Sequence, residues 1–160
     1  MKVEPQDTIG FLIAQTHRSI NNTLSETLLR YCQDQGKPYV VTVAQWGLLY
    51  LLTQSDGLTI GTISQLRHIE APVVTNVVAR LERGGLVERR HDREDRRVVK
   101  VYLTDEGREI MHFLPSVVEN FYSDLIRDIS PEDLRVAERV LRHLITNVSS
   151  NSLHSTENRE

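Results

Sequence analysis

The sequence predicts a mainly α-helical chain that carries one small β-hairpin near its middle. Apolar residues recur at the spacing of amphipathic helices over most of the 160 residues. Clusters of glycine and proline divide these segments into helices of ordinary length. Only the stretch VVKVYL, residues 98–103, alternates between apolar and polar residues as a half-buried strand does.

Four helices are predicted before the hairpin. The first begins at Ile9 and ends near Tyr31, ahead of the loop GKPY. Thr42 opens the second with the spacing of a capping box, and Thr59 caps a short third helix. The fourth begins near Pro72, because proline is favoured in the first helical turn, and it ends at RGG.

The hairpin follows the fourth helix directly. Its first strand is LVERR, its turn is HDRED, and its second strand points Val99, Val101 and Leu103 to one face. A hairpin placed directly after a helix–turn–helix predicts a winged helix-turn-helix.

Two long amphipathic helices complete the chain, the last one opening with SPED at Ser130. The terminal helices carry more apolar positions than a small winged domain can cover, which predicts an interface between two copies. The complete fold class is a mainly α winged helix-turn-helix flanked by N- and C-terminal dimerisation helices. We assign residues 1–35 to the N-terminal dimerisation helix, 40–104 to the winged region, 105–149 to the C-terminal dimerisation helices and 150–160 to a disordered tail.

Charge is distributed unevenly along the chain. The net charge is −3, yet residues 66–100 hold nine basic and six acidic residues, a local net of 9 − 6 = +3. The single cysteine excludes an internal disulfide, and no apolar run approaches the length of a membrane span. These features predict a soluble protein of the cytoplasm with no membrane partner.

The fourth helix is a candidate for contact with DNA. The helix has a single apolar stripe that must face the core, formed by Val74, Val77, Val78 and Leu81. The opposite side of the helix therefore faces solvent. Asparagine and arginine are suited to reading base edges, and threonine to a base or a phosphate. An ordinary amphipathic surface helix is the alternative. The candidate DNA-binding residues on this helix are Thr75, Asn76, Arg80 and Arg83.

The predicted turn of the hairpin is rich in arginine. Such a turn can enter a narrow, A·T-rich minor groove. Asp95 precedes Arg97 by two residues, so its carboxylate can hydrogen-bond the guanidinium and fix its direction. Asp92 and Glu94 favour a tight turn. The candidate DNA-binding residues here are Arg93, Asp95, Arg96 and Arg97.

Three segments together resemble the MarR family of bacterial transcriptional regulators: VTVAQWGLLYLL, VVTNVVARLERGGLVERR and DREDRRVVKVYLTDEG. The resemblance implies a homodimer that binds double-stranded DNA and often holds a small molecule. On this basis Asp95 and Arg97 match the family's Asp-x-Arg wing motif, with Arg97 as the minor-groove reader and Arg96 as its basic neighbour. We therefore expect a ligand-responsive repressor that acts on a pseudopalindromic operator.

The start of the fourth helix departs from the family pattern. Many members have serine and threonine there, whereas this chain has Pro72 and Val73. Two hydroxyl groups and one backbone N–H are thus missing. Val73 offers an apolar contact to a thymine methyl group instead.

A ligand pocket between the long helices and the winged unit is expected to involve His17, Trp46, Tyr50 and Phe113. The expected effector is a small aromatic or other amphipathic acid, and a plain aromatic core is the alternative. Some members of the family sense oxidants with a cysteine in the first helix, so the resemblance also implies a redox-sensing regulator that uses Cys32 as an alternative. A lone cysteine is more commonly a small buried apolar residue.

Other functions lack a motif in the sequence. The six histidines show no metal-site spacing, and we expect neither a metal nor a cofactor. There is no nucleophile triad or phosphate-binding glycine loop, so no enzyme is predicted. The other classes left open are a winged-helix protein-interaction module and a small hydrolase or binding protein.

Overall fold

The computed structural model describes residues 8–157, and it describes side chains as far as residue 150. The elements in chain order are α1 (Ile9–Asp34), α2 (Val43–Gln54), β1 (Leu58–Thr59), α3 (Ile60–Arg67), α4 (Ala71–Arg83), β2 (Val87–His91), β3 (Val99–Leu103), α5 (Asp105–Leu125) and α6 (Pro131–Glu157). The chain up to Tyr122 forms one compact unit, and the chain from Ser123 forms a second.

The caps predicted for the early helices are present. Thr42 Oγ1 accepts a hydrogen bond from the Gln45 N–H at 3.4 Å, and Gln45 Oε1 accepts one from the Thr42 N–H at 2.9 Å. This reciprocal pair is a capping box, and it fixes where α2 begins. The hydroxyl of Thr59 caps α3 by accepting from the Thr62 N–H at 3.1 Å. α1 continues to Asp34, three residues beyond the predicted end.

A tight turn joins α3 to α4. His68 ends α3 in the left-handed conformation at φ 50°. Ser64 ties the turn together, since its hydroxyl donates to the Ile69 carbonyl at 2.6 Å and its carbonyl accepts the Ile69 N–H at 3.1 Å. α4 then begins at Ala71, within one residue of the predicted start, with Pro72 in its first turn.

The wing is a three-stranded antiparallel sheet in the order β1-β3-β2. β2 and β3 form the predicted hairpin, with Val87 opposite Leu103 and His91 opposite Val99. β1 was not predicted, because two residues cannot show an alternating pattern. It pairs with β3 through Leu58 opposite Val101.

One apolar core lies beneath the helices and the sheet of the first unit. Its members come from every element up to α5 except β1, which contributes only a partly buried residue. The predicted inward residues of α4 take part, with Val74, Val78 and Leu81 buried and Val77 partly buried. The core therefore fixes which side of α4 faces solvent. The largest fully buried side chains are Leu24, Leu28, Leu49, Leu52, Ile63, Leu81, Leu86, Ile110 and Leu114.

The last helix is longer than the sequence predicted. Ser130 caps it as expected, its hydroxyl accepting the Asp133 N–H at 3.1 Å. The helix then runs to Glu157, whereas the sequence predicted a disordered tail from residue 150. Each residue added to an existing helix gains a hydrogen bond without a new nucleation step, so polar residues can prolong it. Residues 158–160 lie outside the described residues.

Large apolar side chains remain exposed on the terminal helices. In the first half of α1 they are Ile9, Phe11, Leu12 and Ile13. Within the second unit they are Leu125, Ile126, Ile129, Val136, Val140, Leu141, Ile145 and Val148. Among the described residues, no helix has the length and apolar character needed to cross a membrane.

Candidate nucleic-acid interface

The solvent side of α4 carries the predicted recognition residues. Thr75, Asn76, Arg80 and Arg83 are all exposed. The Thr75 hydroxyl donates to the Ala71 carbonyl at 2.8 Å, and Arg83 Nε donates to the Ala79 carbonyl at 3.4 Å. Neither Asn76 nor Arg80 makes a side-chain hydrogen bond or ion pair within the part of the chain that the structure describes. Their polar groups are thus available to an external partner.

The wing tip is held by Asp92. Its Oδ1 accepts the Glu94 N–H at 2.9 Å and the Asp95 N–H at 3.2 Å, and its Oδ2 pairs with Lys100 Nζ at 2.5 Å. The Lys100 ammonium, helped by the two backbone N–H groups, lowers the pKa of Asp92 to about 2. The turn is therefore organised around a carboxylate that stays ionised under all ordinary conditions.

Asp95 and Arg97 interact as the sequence predicted. Asp95 Oδ1 accepts the Arg97 backbone N–H at 3.0 Å and the side-chain Nε–H at 3.2 Å. The Arg97 side chain is nevertheless 92% exposed. One carboxylate oxygen therefore holds the backbone and the Nε of Arg97 and leaves the two terminal nitrogens of the guanidinium facing solvent.

Besides Arg97, three of the six basic residues between Arg89 and Lys100 are paired with acids. Arg89 bonds Glu82 at 3.0 Å, Arg90 bonds Glu88, and Lys100 bonds Asp92. The Arg90 guanidinium also lies over the Tyr102 ring, 5.1 Å from its centroid.

The other three are the arginines that the sequence singled out. Arg93 and Arg96 are exposed and form no side-chain hydrogen bond or ion pair among residues 8–150. A backbone contact orders their loop, because His91 Nδ1 lies 2.7 Å from the Arg96 carbonyl oxygen. Arg93, Arg96 and Arg97 therefore make up the cationic tip of the wing.

Asp56 connects the base of the wing to α5, a role that the sequence did not reveal. Its Oδ1 accepts the Leu103 N–H at 3.0 Å and the Gly57 N–H at 3.1 Å. Its Oδ2 pairs with Arg108 Nη2 at 2.6 Å. Asp56 and Arg108 are 52 positions apart, so local sequence patterns carry no signal for this pair.

The residues predicted to bind a ligand are only partly brought together. Trp46 and Tyr50 stack with ring centroids 5.5 Å apart. Tyr50 also lines a depression of about 390 Å³ between α2 and α5. His17, Trp46 and Phe113 do not line it; His17 is exposed and bonds Asn21 at 2.8 Å. The depression is lined by Tyr50, Thr53, Gln54, Leu103, Arg108, Met111, His112 and Pro115.

The structure disfavours Cys32 as a redox sensor. The side chain is fully buried in the core. Burial raises the pKa of its thiol, which keeps it in the unreactive protonated form. Over the described part of the chain, no cluster of histidine, cysteine and carboxylate side chains could hold a metal ion.

A model of the MarR family matches residues 41–98, which span the buried entry to α2, the helix–turn–helix and the wing as far as Val98. Over these residues the chain is similar to the MarR family. The match includes α4, which carries Asn76 and Arg80, and the wing arginines, so the resemblance seen in the sequence is confirmed.

Curated relatives agree with the family. The chain is 31% identical over 103 residues to YdgJ of Bacillus subtilis, described as an uncharacterized HTH-type transcriptional regulator. That match covers 64% of this chain and 63% of YdgJ, slightly less than two thirds of the relative's length. It is 24% identical to the homoprotocatechuate degradative operon repressor of Escherichia coli, over 75% of this chain and 81% of the repressor. These relatives are transcription regulators and not enzymes, as the sequence predicted.

Solved structures share the fold. The PcaV transcriptional regulator of Streptomyces coelicolor, in complex with its natural ligand, has a TM-score of 0.75 at 20% identity. The match covers 91% of this chain and 97% of PcaV. MepR of S. aureus, in complex with DNA, has a TM-score of 0.74 at 21% identity, with 91% and 99% covered. The predicted fold class, a mainly α winged helix-turn-helix, is confirmed.

Proposed function

We propose that this protein is a transcriptional repressor of the MarR family that binds double-stranded DNA sequence-specifically as a homodimer. The observation that carries the proposal is the joint exposure of Asn76 and Arg80 on α4 and of the arginines at the wing tip. Because α4 and the wing belong to one compact unit, they can contact the same segment of DNA simultaneously.

Each group has a role that follows from its chemistry. Asn76 and Arg80 read base edges in the major groove, where asparagine suits adenine and arginine suits guanine. Thr75 and Arg83 flank them and contact bases or phosphates. Arg97, aimed by Asp95, enters the adjacent minor groove, while Arg93 and Arg96 bind phosphates.

The terminal helices form the dimer in this proposal. The exposed apolar side chains of α1 and of the second unit need a cover, and a second copy of the chain supplies it. Residues 1–35 and 105–149 are thus the dimerisation helices, and 40–104 the DNA-binding region. The interface is expected to bury more than about 2,000 Å².

Repression is the regulatory outcome that we favour. The Escherichia coli relative is by its name an operon repressor. A dimer bound across two half-sites of a promoter also prevents other proteins from binding there, simply because it occupies the DNA. Because bacterial DNA lies in the cytoplasm, the proposal places the protein there.

A small aromatic or amphipathic acid is the proposed effector, and the depression beside Tyr50 is its proposed site. Arg108 and His112 offer cationic and hydrogen-bonding groups, whereas Leu103, Met111 and Pro115 offer apolar surface. The solved PcaV structure contains its natural ligand. Arg108 also holds Asp56 at the base of the wing, so an acid bound here competes with Asp56 and lowers the affinity for DNA.

The DNA-binding proposal is tested by selecting duplexes from a randomised library with the full-length protein. A selected duplex and a scrambled duplex of equal composition are then titrated by fluorescence anisotropy at physiological salt. We expect the selected duplex to bind about 10³-fold more tightly or better. Equal affinities would refute sequence-specific binding.

The effector is tested with a panel of aromatic carboxylic acids added to the complex with the selected duplex. At least one acid is expected to release the DNA, and Tyr50→Ala is expected to abolish the release while leaving DNA affinity without the acid unchanged. A panel without effect on DNA affinity or thermal stability would refute the effector proposal.

A further inference from the structure

The first turn of α4 has few of the polar groups with which helices hold phosphates. Glu70 precedes the helix and places a carboxylate there, without capping the helix through its side chain. Pro72 has no backbone N–H. The N–H groups of Val73 and Val74 both donate to the Glu70 carbonyl, at 3.0 and 3.2 Å. A negative charge and occupied amides disfavour a phosphate at this end of the helix.

The same turn presents an apolar side chain to solvent instead. Val73 is 48% exposed. Val73, Asn76 and Arg80 are three and four residues apart, so they lie on one side of α4. An exposed valine by itself needs no explanation. This one stands at the N-terminal end of the row that carries the polar side chains available to DNA.

The geometry of DNA limits what a valine can recognise there. On the major-groove edges of the bases, the thymine C5-methyl is the one methyl group and the largest apolar group. Val73 lies about 4.5 Å from Asn76 along the helix axis, at about 1.5 Å per residue. Base pairs repeat at about 3.4 Å. A base in contact with Val73 is therefore one or two base pairs from the base in contact with Asn76.

We propose that Val73 is a specificity-determining residue that reads the C5-methyl of a thymine in each half-site. The inference rests on the proposed binding of α4 in the major groove, and it adds the chemistry of one position. Asn76 suits adenine, so the thymine lies one or two base pairs from an adenine. At this position an apolar contact with a base takes the place of a polar contact with a phosphate. The contact with a base depends on the DNA sequence, whereas a contact with a phosphate does not.

The test removes only the methyl group. Each thymine of the selected half-site is replaced in turn by deoxyuridine, which lacks the C5-methyl and keeps the same base pairing. At one of these thymines, the replacement is expected to lower the affinity of the wild-type protein about fourfold per half-site. That factor corresponds to the burial of about one methyl group. The Val73→Ala variant is expected to bind the thymine and deoxyuridine duplexes equally.

Val40→Ala is the matched control, because Val40 is a comparably exposed valine, at 46%, in the loop before α2. This variant should keep the full preference for thymine. Thermal unfolding verifies that Val73→Ala is folded, which alanine's higher helix propensity favours. The inference is wrong if no deoxyuridine substitution weakens the wild-type protein, or if Val73→Ala keeps the preference.

These outcomes differ from failure of the proposed function. If the library yields no preferred sequence, the DNA-binding proposal fails and the inference fails with it. If a preferred half-site emerges without a methyl-dependent thymine, only the inference is overturned.

Discussion

The acidic side chains within the basic wing have two different tasks. Asp92 closes the turn through two backbone N–H groups and the Lys100 ammonium. Asp95 holds the backbone and Nε of Arg97. The acids reduce the local positive charge, and in return the remaining arginines project from an ordered turn.

The ionisation of Asp92 gives the first prediction. Its pKa is lowered to about 2 in the folded protein, chiefly by Lys100, whereas the ordinary value is 3.8. Its contribution to stability is therefore complete above about pH 4 and is lost as the pH falls towards 2. Carboxyl ¹³C shifts recorded against pH should place its midpoint well below 3.8. In Lys100→Met the midpoint should move upwards, and a midpoint already at 3.8 in the wild type would contradict the assigned contacts.

The second prediction concerns Asp95 and Arg97. Arg97→Ala should cost about 1–3 kcal/mol of operator binding, most of all for operators with A·T-rich flanks. Asp95→Ala should weaken specific binding while non-specific binding stays level or rises, because the released arginine keeps its charge but loses its direction. Both affinities are measured by anisotropy with selected and scrambled duplexes at one salt concentration.

Arg96→Ala is the matched control, since Arg96 is also exposed but has no acid partner within the described residues. It should weaken all sequences evenly and lower the salt slope by about one. An Asp95→Ala protein that binds its operator more tightly than the wild type would show that Asp95 merely adds unwanted negative charge.

At the scale of elements, α5 packs closely against the start of β2. A Cβ added to Gly107 would lie 2.0 Å from the Leu86 carbonyl oxygen. Thr104 fixes the same junction, because its hydroxyl donates to the Gly85 carbonyl at 2.6 Å and accepts the Gly107 N–H at 3.0 Å. The wing and α5 thus meet backbone to backbone.

The third prediction follows from this contact. Gly107→Ala should destabilise the protein by at least about 2 kcal/mol, because a backbone atom cannot move aside as a flexible side chain would. Gly61→Ala is the matched control, since its Cβ would have no neighbour nearer than Thr59 Oγ1 at 3.8 Å. That change should be neutral or stabilise by up to about 1 kcal/mol. Denaturant unfolding measures both, and equal stabilities of the two variants would refute the close packing.

Sequence patterns predicted the elements wherever the signal was local. The capping box at Thr42, the inward stripe of α4 and the Asp95–Arg97 pair all depend on residues a few positions apart. β1 could not be predicted, because two residues are too few to show a periodic pattern. The lining of the depression beside Tyr50 could not be predicted, because Tyr50 meets Arg108 and His112 only after folding. The ion pair between Asp56 and Arg108 could not be predicted for the same reason.

At the scale of the whole molecule, the chain displays apolar surface that one copy leaves uncovered. The fourth prediction is that the protein sediments as a dimer at micromolar concentration, with twice the 18.4 kDa of one chain, 2 × 18.4 = 36.8 kDa. Leu12→Glu should produce monomers, because it places a charge on the exposed apolar side of α1. Gln15→Glu, which adds the same charge to a polar position of that helix, should remain dimeric. A monomeric wild type would refute the dimer.

The central claim is that two copies of α4 and two wings contact one DNA site. Hydroxyl-radical footprinting on a selected duplex tests it most directly. We expect two protected half-sites about 10 base pairs apart, each flanked by a protected minor groove. With Arg97→Ala only the flanking protections should disappear. A single protected block without two-fold symmetry, or flanks that Arg97→Ala leaves unchanged, would contradict the account.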